Sequence, residues 1–270
     1  PWAGPSCITC DKNILRIKKG EFAGLETTAS VPISPSAYIG IPLGIDINSA
    51  VKCHDLFQRY GIDELDGAYL IDLLMDLQQK GLVTSEQLGM ELKPGDRDAV
   101  MKAIEKIARR EGFWDTVADG IPGVTKKIEG ASQYVIQQKG MSHVMDGRAA
   151  LGIDTFGYLT NPRGSQTFSL VRSPATALPG VPTDLLHGLA NDHYRVPDEA
   201  QKRIFRQGKW DVGRFTPYIE NHNTSCNCLG LCYRFFIGRI YDIATIAAAY
   251  SAVTGIPLTA EDLPRVGERV

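Results

Sequence analysis

The sequence predicts a mostly α protein made of two packed helical domains. Leu70, Leu73, Leu74 and Leu77 recur at helical spacing and stop at Gly81, the residue type that ends helices in a left-handed turn. Asp96, just after Pro94-Gly95, caps a second segment with Val100, Ile104, Ile107 and Ala108 on one face. Strand signals are sparse, with only 152–160 and 167–171 ambiguous. At 270 residues, two domains of about 100–200 residues each are expected. The Pro/Gly/Ser-rich stretch 161–182 marks a boundary or a substrate loop, giving domains 1–160 and 161–270.

Along the chain, Cys7-Ile8-Thr9-Cys10 comes first, then the two helices above. Between those helices, Thr84 followed by Gln87 reads as a capping box for a short helix. A last long helix is expected over 237–253, ending at Gly255. The chain starts at Pro1 and ends at Val270 without an evident stop, which reads as a segment of a longer polypeptide.

Composition narrows the function classes. The chain is 43% hydrophobic and 22% charged with a formal net charge of −2, a balance that argues against nucleic acid or an anionic membrane as the main partner. No apolar run approaches the roughly 18–20 residues that span a bilayer, and the sequence reads as having no signal peptide, so a cytoplasmic, non-membrane protein is expected.

Six cysteines, Cys7, Cys10, Cys53, Cys226, Cys228 and Cys232, fall mostly in close groupings. A chain of this size needs no disulfides, so the groupings read as metal ligation in a reducing compartment. Cys7 and Cys10 suit zinc or an iron–sulfur cluster, and Cys226, Cys228 and Cys232 can complete the ligand set.

Two hexapeptides are alike: Gln58-Arg59-Tyr60-Gly61-Ile62-Asp63 and Asn227-Cys228-Leu229-Gly230-Leu231-Cys232. Each runs amide, two spacers, glycine, branched aliphatic, then a bonding or ligating residue. The amide can donate and accept, and the glycine lets backbone N–H groups approach a ligand closely. A large two-sided cofactor would explain the duplication.

With these segments, Gly24-Leu25-Glu26-Thr27, Ile107-Ala108-Arg109-Arg110-Glu111-Gly112 and Tyr158-Leu159-Thr160-Asn161-Pro162-Arg163-Gly164 form an ordered set. The set resembles the C-terminal helical half of the tungsten-dependent aldehyde:ferredoxin oxidoreductase family. The resemblance implies a tungsten-bispyranopterin, with a bridging magnesium, and a [4Fe–4S] cluster. In that family two Asp-x-x-Gly-Leu-Asp/Cys motifs hold pyranopterins on either side of one tungsten. It assigns Gln58, Gly61, Asp63, Asn227, Gly230 and Leu231 to pterin binding, and Cys7, Cys10, Cys228 and Cys232 to the cluster, with Cys226 the alternative to Cys228. Glu26 matches the family's active-site glutamate, and His187 and His193 lie near its active-site histidine; His222 is a further candidate. A carboxyl beside a buried metal would have a raised pKa and could deliver a proton.

Two departures stand out. Ile14 occupies the third cysteine position of the family's cluster motif, and both hexapeptides begin with an amide where the family has Asp. Cys53, beside His54, is either a packed thiol or a soft ligand to tungsten. A tungsten-bound cysteine resembles the benzoyl-CoA reductase branch, so reduction of the benzoyl-CoA ring to a cyclic dienoyl-CoA is the first expectation. Aldehyde oxidation to carboxylic acid is the alternative, and a non-catalytic zinc-stapled scaffold the second. Expected partners are an electron-transfer iron–sulfur subunit or ferredoxin, an acyl-CoA or aldehyde substrate, and further copies in an oligomer.

Overall fold

The computed structural model describes residues 2–3, 13–29, 35–142, 182–206, 209–231 and 242–270. The described residues are mostly helical, as the leucine periodicity predicts. The chain divides into two compact units, Pro1–His143 and Val144–Val270. The expected boundary after residue 160 falls outside the described residues, as do the two ambiguous strand segments.

The first unit opens with a small antiparallel sheet in the order β1 (Trp2–Ala3), β2 (Asn13–Arg16), β3 (Glu26–Ala29). Its register pairs Ile14 with Thr28 and Arg16 with Glu26. Two long helices follow, α1 (Ile47–Tyr60) and α2 (Glu64–Gln79). The Asp46 side chain caps α1 by accepting from the Asn48 and Ser49 backbones, and Asp63 caps α2 the same way from Leu65 and Asp66. Each cap satisfies backbone donors that the first helical turn leaves without partners.

Short α3 (Ser85–Leu88) has the predicted reciprocal box between Thr84 and Gln87. Next come α4 (Arg97–Arg109), capped by Asp96, then α5 (Trp114–Ala118) and α6 (Gly120–Lys127). The leucine stripe of α2 packs with Val100, Ile104 and Ile107 of α4 in one apolar cluster. Trp114 is buried there, its indole N–H donating to the Leu88 carbonyl at 2.9 Å. A two-stranded ribbon, β4 (Gln137–Gln138) and β5 (Met141–Ser142), is tied to α2. There Ile136 N–H donates to the Tyr69 hydroxyl at 2.7 Å, and Ser142 N–H donates to the Asp66 carboxylate at 3.1 Å.

The second unit contains α7 (Thr183–Gly188), α8 (Asp198–Ile204), the ribbon β6 (Phe205–Arg206) and β7 (Lys209–Trp210), and α9 (Val212–Cys228). It closes with α10 (Ile243–Thr254) and α11 (Asp262–Glu268). The expected helix over 237–253 is described from Ile243 and ends, as expected, at a left-handed Gly255 with φ 73°. Tyr194, Phe215 and Ile219 belong to one core cluster, with Tyr194 edge-on to Phe215 at 5.5 Å. Helices α9 and α11 pack backbone to backbone: a Cβ at Gly267 would overlap the Asn221 carbonyl.

In the first unit, Gly67 sits under the Phe57 ring, and a Cβ there would overlap it. Gly67→Ala should cost about 2 kcal/mol through overpacking, read as a lowered midpoint in urea unfolding. An unchanged midpoint would mean that α1 and α2 separate freely at that contact.

Candidate functional site

The two hexapeptides fold into the same turn. In the first, α1 ends at Tyr60, Gly61 turns left-handed at φ 68°, and Ile62 N–H donates back to the Phe57 carbonyl at 3.0 Å. In the second, α9 ends at Cys228, Gly230 has φ 70°, and Leu231 N–H donates back to the Cys226 carbonyl at 2.9 Å. Gly61 and Gly230 N–H donate to the Gln58 and Asn227 carbonyls at 3.3 and 3.0 Å. This is the six-to-one helix ending that a left-handed glycine permits. The residue after each glycine packs back, Ile62 with the Phe57 cluster and Leu231 with the Cys226 cluster.

Both turns leave their polar faces open. Gln58, Asp63 and Asn227 are exposed, and among the described residues, chain neighbours aside, no atom lies within 4 Å of where a Cβ on Gly61 or Gly230 would stand. A flat, polar group can therefore lie against either glycine with an amide side chain beside it, so the residues fit a pterin. Asp63 also caps α2, its Oδ1 accepting from Leu65 and Asp66 at 2.9 and 3.1 Å.

Cys53 has the opposite setting. It is fully buried in the apolar cluster of the first unit, and burial pushes its thiol up to about 12. In this setting the thiol packs as a small hydrophobe, the first of the two readings of Cys53. Cys226 is buried beside Ile243 and Leu263, whereas Cys228 is exposed at the end of α9. Of the two proposed fourth cluster ligands, Cys228 is thus the accessible one. Cys7, Cys10 and Cys232 lie outside the described residues, and among those described no group of His, Cys, Asp or Glu gathers as a metal site.

Glu26 begins β3 and is exposed, paired with Arg16 at 3.4 Å, a surface setting and not a dry pocket. His187 is exposed on α7 and stacks on Phe205 at 3.8 Å. His193 is buried, edge-on to Tyr194 at 4.8 Å. His222 is fully buried and bonds the Tyr194 carbonyl through Nε2 at 2.8 Å. Burial first, with His193 beside it, outweighs that bond and pushes His222 down to about 4. The ring is therefore neutral near pH 7, with Nε2 the protonated nitrogen.

Sequence reasoning missed His54. Its Nδ1 bonds the Glu64 carboxylate at the start of α2, and its Nε2 bonds the Thr28 carbonyl in β3. Both partners are acceptors, so the bonding pattern calls for the doubly protonated ring. Burial works against that charge, yet Glu64, the Thr28 carbonyl and nearby Asp55 outweigh it and raise the pKa above the ordinary histidine value. Asp55 is itself buried and paired with Arg59 and Lys52 at 2.8 and 3.5 Å. The available signal was a histidine nearly two turns before the helix end with an acid just past the next cap.

The family described as aldehyde ferredoxin oxidoreductase, domains 2 & 3, matches residues 3–270. A tungsten-containing aldehyde ferredoxin oxidoreductase of Pyrococcus horikoshii is 32% identical over 86% of this chain and 35% of its own length. One from Pyrococcus abyssi is 31% identical over the same shares. The chain thus spans about a third of the length of these relatives. Among solved structures, the active site complex BamBC of benzoyl coenzyme A reductase with 1,5-dienoyl-CoA is similar in fold. Its TM-score is 0.68 at 17% identity, over 87% of this chain and 38% of that one.

His54 and His222 give opposite pH dependences. A raised pKa at His54 means its contribution is complete below the unfolded value of about 6.5 and is lost as pH rises through the folded one. A depressed pKa at His222 means stability is lost as pH falls from about 6.5 towards 4, by about 3 kcal/mol. Hydrogen exchange by peptide should therefore rise in 47–66 at alkaline pH and in 212–228 at acid pH. Both segments loosening at the same end of the pH range would contradict the assignment.

Proposed function

The chain belongs to the aldehyde ferredoxin oxidoreductase family, and we propose that it forms the pterin- and cluster-binding helical part of an oxidoreductase that converts aldehydes to carboxylic acids. The observation that carries this reading is the pair of congruent, open glycine turns at the two hexapeptides. On this reading Gln58, Gly61 and Asp63 hold one pterin, and Asn227, Gly230 and Leu231 the other. Cys7, Cys10, Cys228 and Cys232 hold the [4Fe–4S] cluster. When bound, the tungsten-bispyranopterin supplies the two-electron oxidation and the cluster relays the electrons singly to ferredoxin or to an iron–sulfur subunit. The protein's share is to position these groups and to move protons; His193 is buried enough to hold one away from bulk water. Glu26 and His187 are exposed in this chain and need a covering partner or domain to serve in that way.

Ring reduction of benzoyl-CoA becomes the second reading. Its residue-level support was Cys53 as a tungsten ligand, and that thiol is packed in the apolar core. The named relatives at 31–32% identity are aldehyde ferredoxin oxidoreductases, while the 17% likeness to the benzoyl-CoA reductase complex speaks for the fold alone.

The full-length protein should contain tungsten, about four irons and releasable pterin, and should reduce ferredoxin with an aldehyde as donor. Zinc alone would overturn this in favour of a stapled scaffold, and dienoyl-CoA formation without aldehyde oxidation would restore the second reading. Asn227→Ala should keep the fold and lose pterin. Cys53→Ser should cost about 1–3 kcal/mol of stability, for a hydroxyl buried in an apolar site, and leave tungsten content unchanged. Tungsten lost from a folded Cys53→Ser protein would make the thiol a ligand after all.

A further inference from the structure

The second unit carries a cleft that the proposed redox chemistry does not use. It is about 610 Å³ and opens between α8, the first half of α9 and α11. Small-molecule sites run from roughly 300 to 1,000 Å³. Four arginines line it from separate stretches of the chain: Arg195, Arg203, Arg214 and Arg265. Glu261 and Glu268 line it too, so the lining holds four positive charges against two negative in a chain whose net charge is −2.

Partners outside the lining take up part of that charge. Arg214 Nε shares Asp211 at 3.1 Å, and Arg265 stands 3.6 Å from Asp262, whose carboxylate already accepts from Thr259. Arg203 donates through Nε only to the Glu199 carbonyl at 3.3 Å. Among the described residues, neither Arg203 nor Arg195 makes an ion pair; Arg195 feels Asp242 only through space. Arg195 also holds a left-handed backbone at φ 50°, a conformation that a non-glycine residue rarely takes.

Solvated arginines on a helix face are ordinary, but these stand beside aromatic and apolar side chains, with Asn221 among them. Tyr194 and Ile204, 1% and 2% exposed, form the floor, with Tyr218, Pro197, Pro217 and Pro264 around them. A guanidinium fork matches phosphate oxygens, and flat apolar surface beside it suits a planar ring. A single inorganic phosphate would leave most of the volume and all of that wall unused. We propose that this cleft binds a nucleotide-type ligand, its phosphates on the arginines and its planar ring on the tyrosine–proline wall.

That chemistry has two sources, a free nucleoside diphosphate or the nucleotide tail of a coenzyme A thioester. The proposal does not rest on the pterin or cluster assignments, so either can fail without the other. The test is calorimetric titration of the full-length protein at low salt with ADP, pyrophosphate, adenosine and coenzyme A. ADP should bind more tightly than pyrophosphate or adenosine, and added salt should weaken it. Arg203→Ala and Arg195→Ala should each weaken ADP about tenfold, the loss expected for one charged hydrogen bond. Arg203→Lys should fall between, because it keeps the charge and loses the fork. Tyr218→Ala should weaken ADP but leave pyrophosphate unchanged. Glu268→Gln should tighten ADP, a gain that no folding defect can produce. Coenzyme A binding tenfold tighter than ADP identifies the thioester tail, and equal affinities identify the free nucleotide. No binding of ADP or coenzyme A at millimolar concentration, or affinities unmoved by the arginine and Glu268 variants, would overturn the proposal.

Discussion

His54 bonds β3 through the Thr28 carbonyl and α2 through Glu64, while its own backbone lies in α1. One side chain thereby ties its own helix to two elements whose contacting residues are 26 and 10 positions away. The first glycine turn lies between α1 and α2, so its orientation follows from this bridge. A neutral imidazole would set a lone pair against either a carboxylate or a carbonyl, which makes the charged ring the state that satisfies both bonds. The cost of burying that charge is offset only while Glu64 stays in place. Removing one member of a buried pair typically costs about 3–5 kcal/mol, because the other is left uncompensated.

The two turns show why such a motif suits cofactor binding. A helix ended by a left-handed glycine folds its next apolar residue back on the core and so fixes the exit direction. What remains outside is backbone and one short polar side chain, held by two elements. Cys53 illustrates the converse. Successive residues on a helix are about 100° apart, so with His54 turned to Glu64 and Thr28, Cys53 faces the core together with Ala50 and Phe57. A thiol in that phase packs, and the stripe Ala50, Cys53, Phe57 already had core spacing in the sequence.

Much of the helical frame was legible because its signals are local. The α2 leucines, the Thr84–Gln87 box, the Asp96 cap and Gly255 each act within a few residues, and each is found in its expected place. Elements that depend on distant partners were not legible. The hairpin of β2 and β3 is four residues a strand, too short for alternation to stand out, and its register is set by pairing. Arg110 ends α4 in a left-handed turn at φ 55° without being glycine, held by Asp115 and Asp119 beyond the turn. His54 read as a neighbour of a cysteine, since nothing local joins it to Thr28. The cleft arginines are spread from 195 to 265 and share no pattern that a window could detect.

The departures from the family's pattern also follow from helix electrostatics. Gln58 and Asn227 lie in the last turns of α1 and α9, where the helix dipole presents its negative end. A carboxylate at either place, as the family has, would be opposed by about 0.3–1 kcal/mol unless a ligand's N–H groups compensate. An amide keeps an acceptor there without that repulsion, so each turn is tolerable with or without a bound group. Asp63, by contrast, stands at the N-terminus of α2, where the dipole favours its charge and the cap uses one of its oxygens. The other oxygen is then held in a fixed direction by the cap. The one acid kept in the two hexapeptides is thus at the one end of a helix that stabilises it.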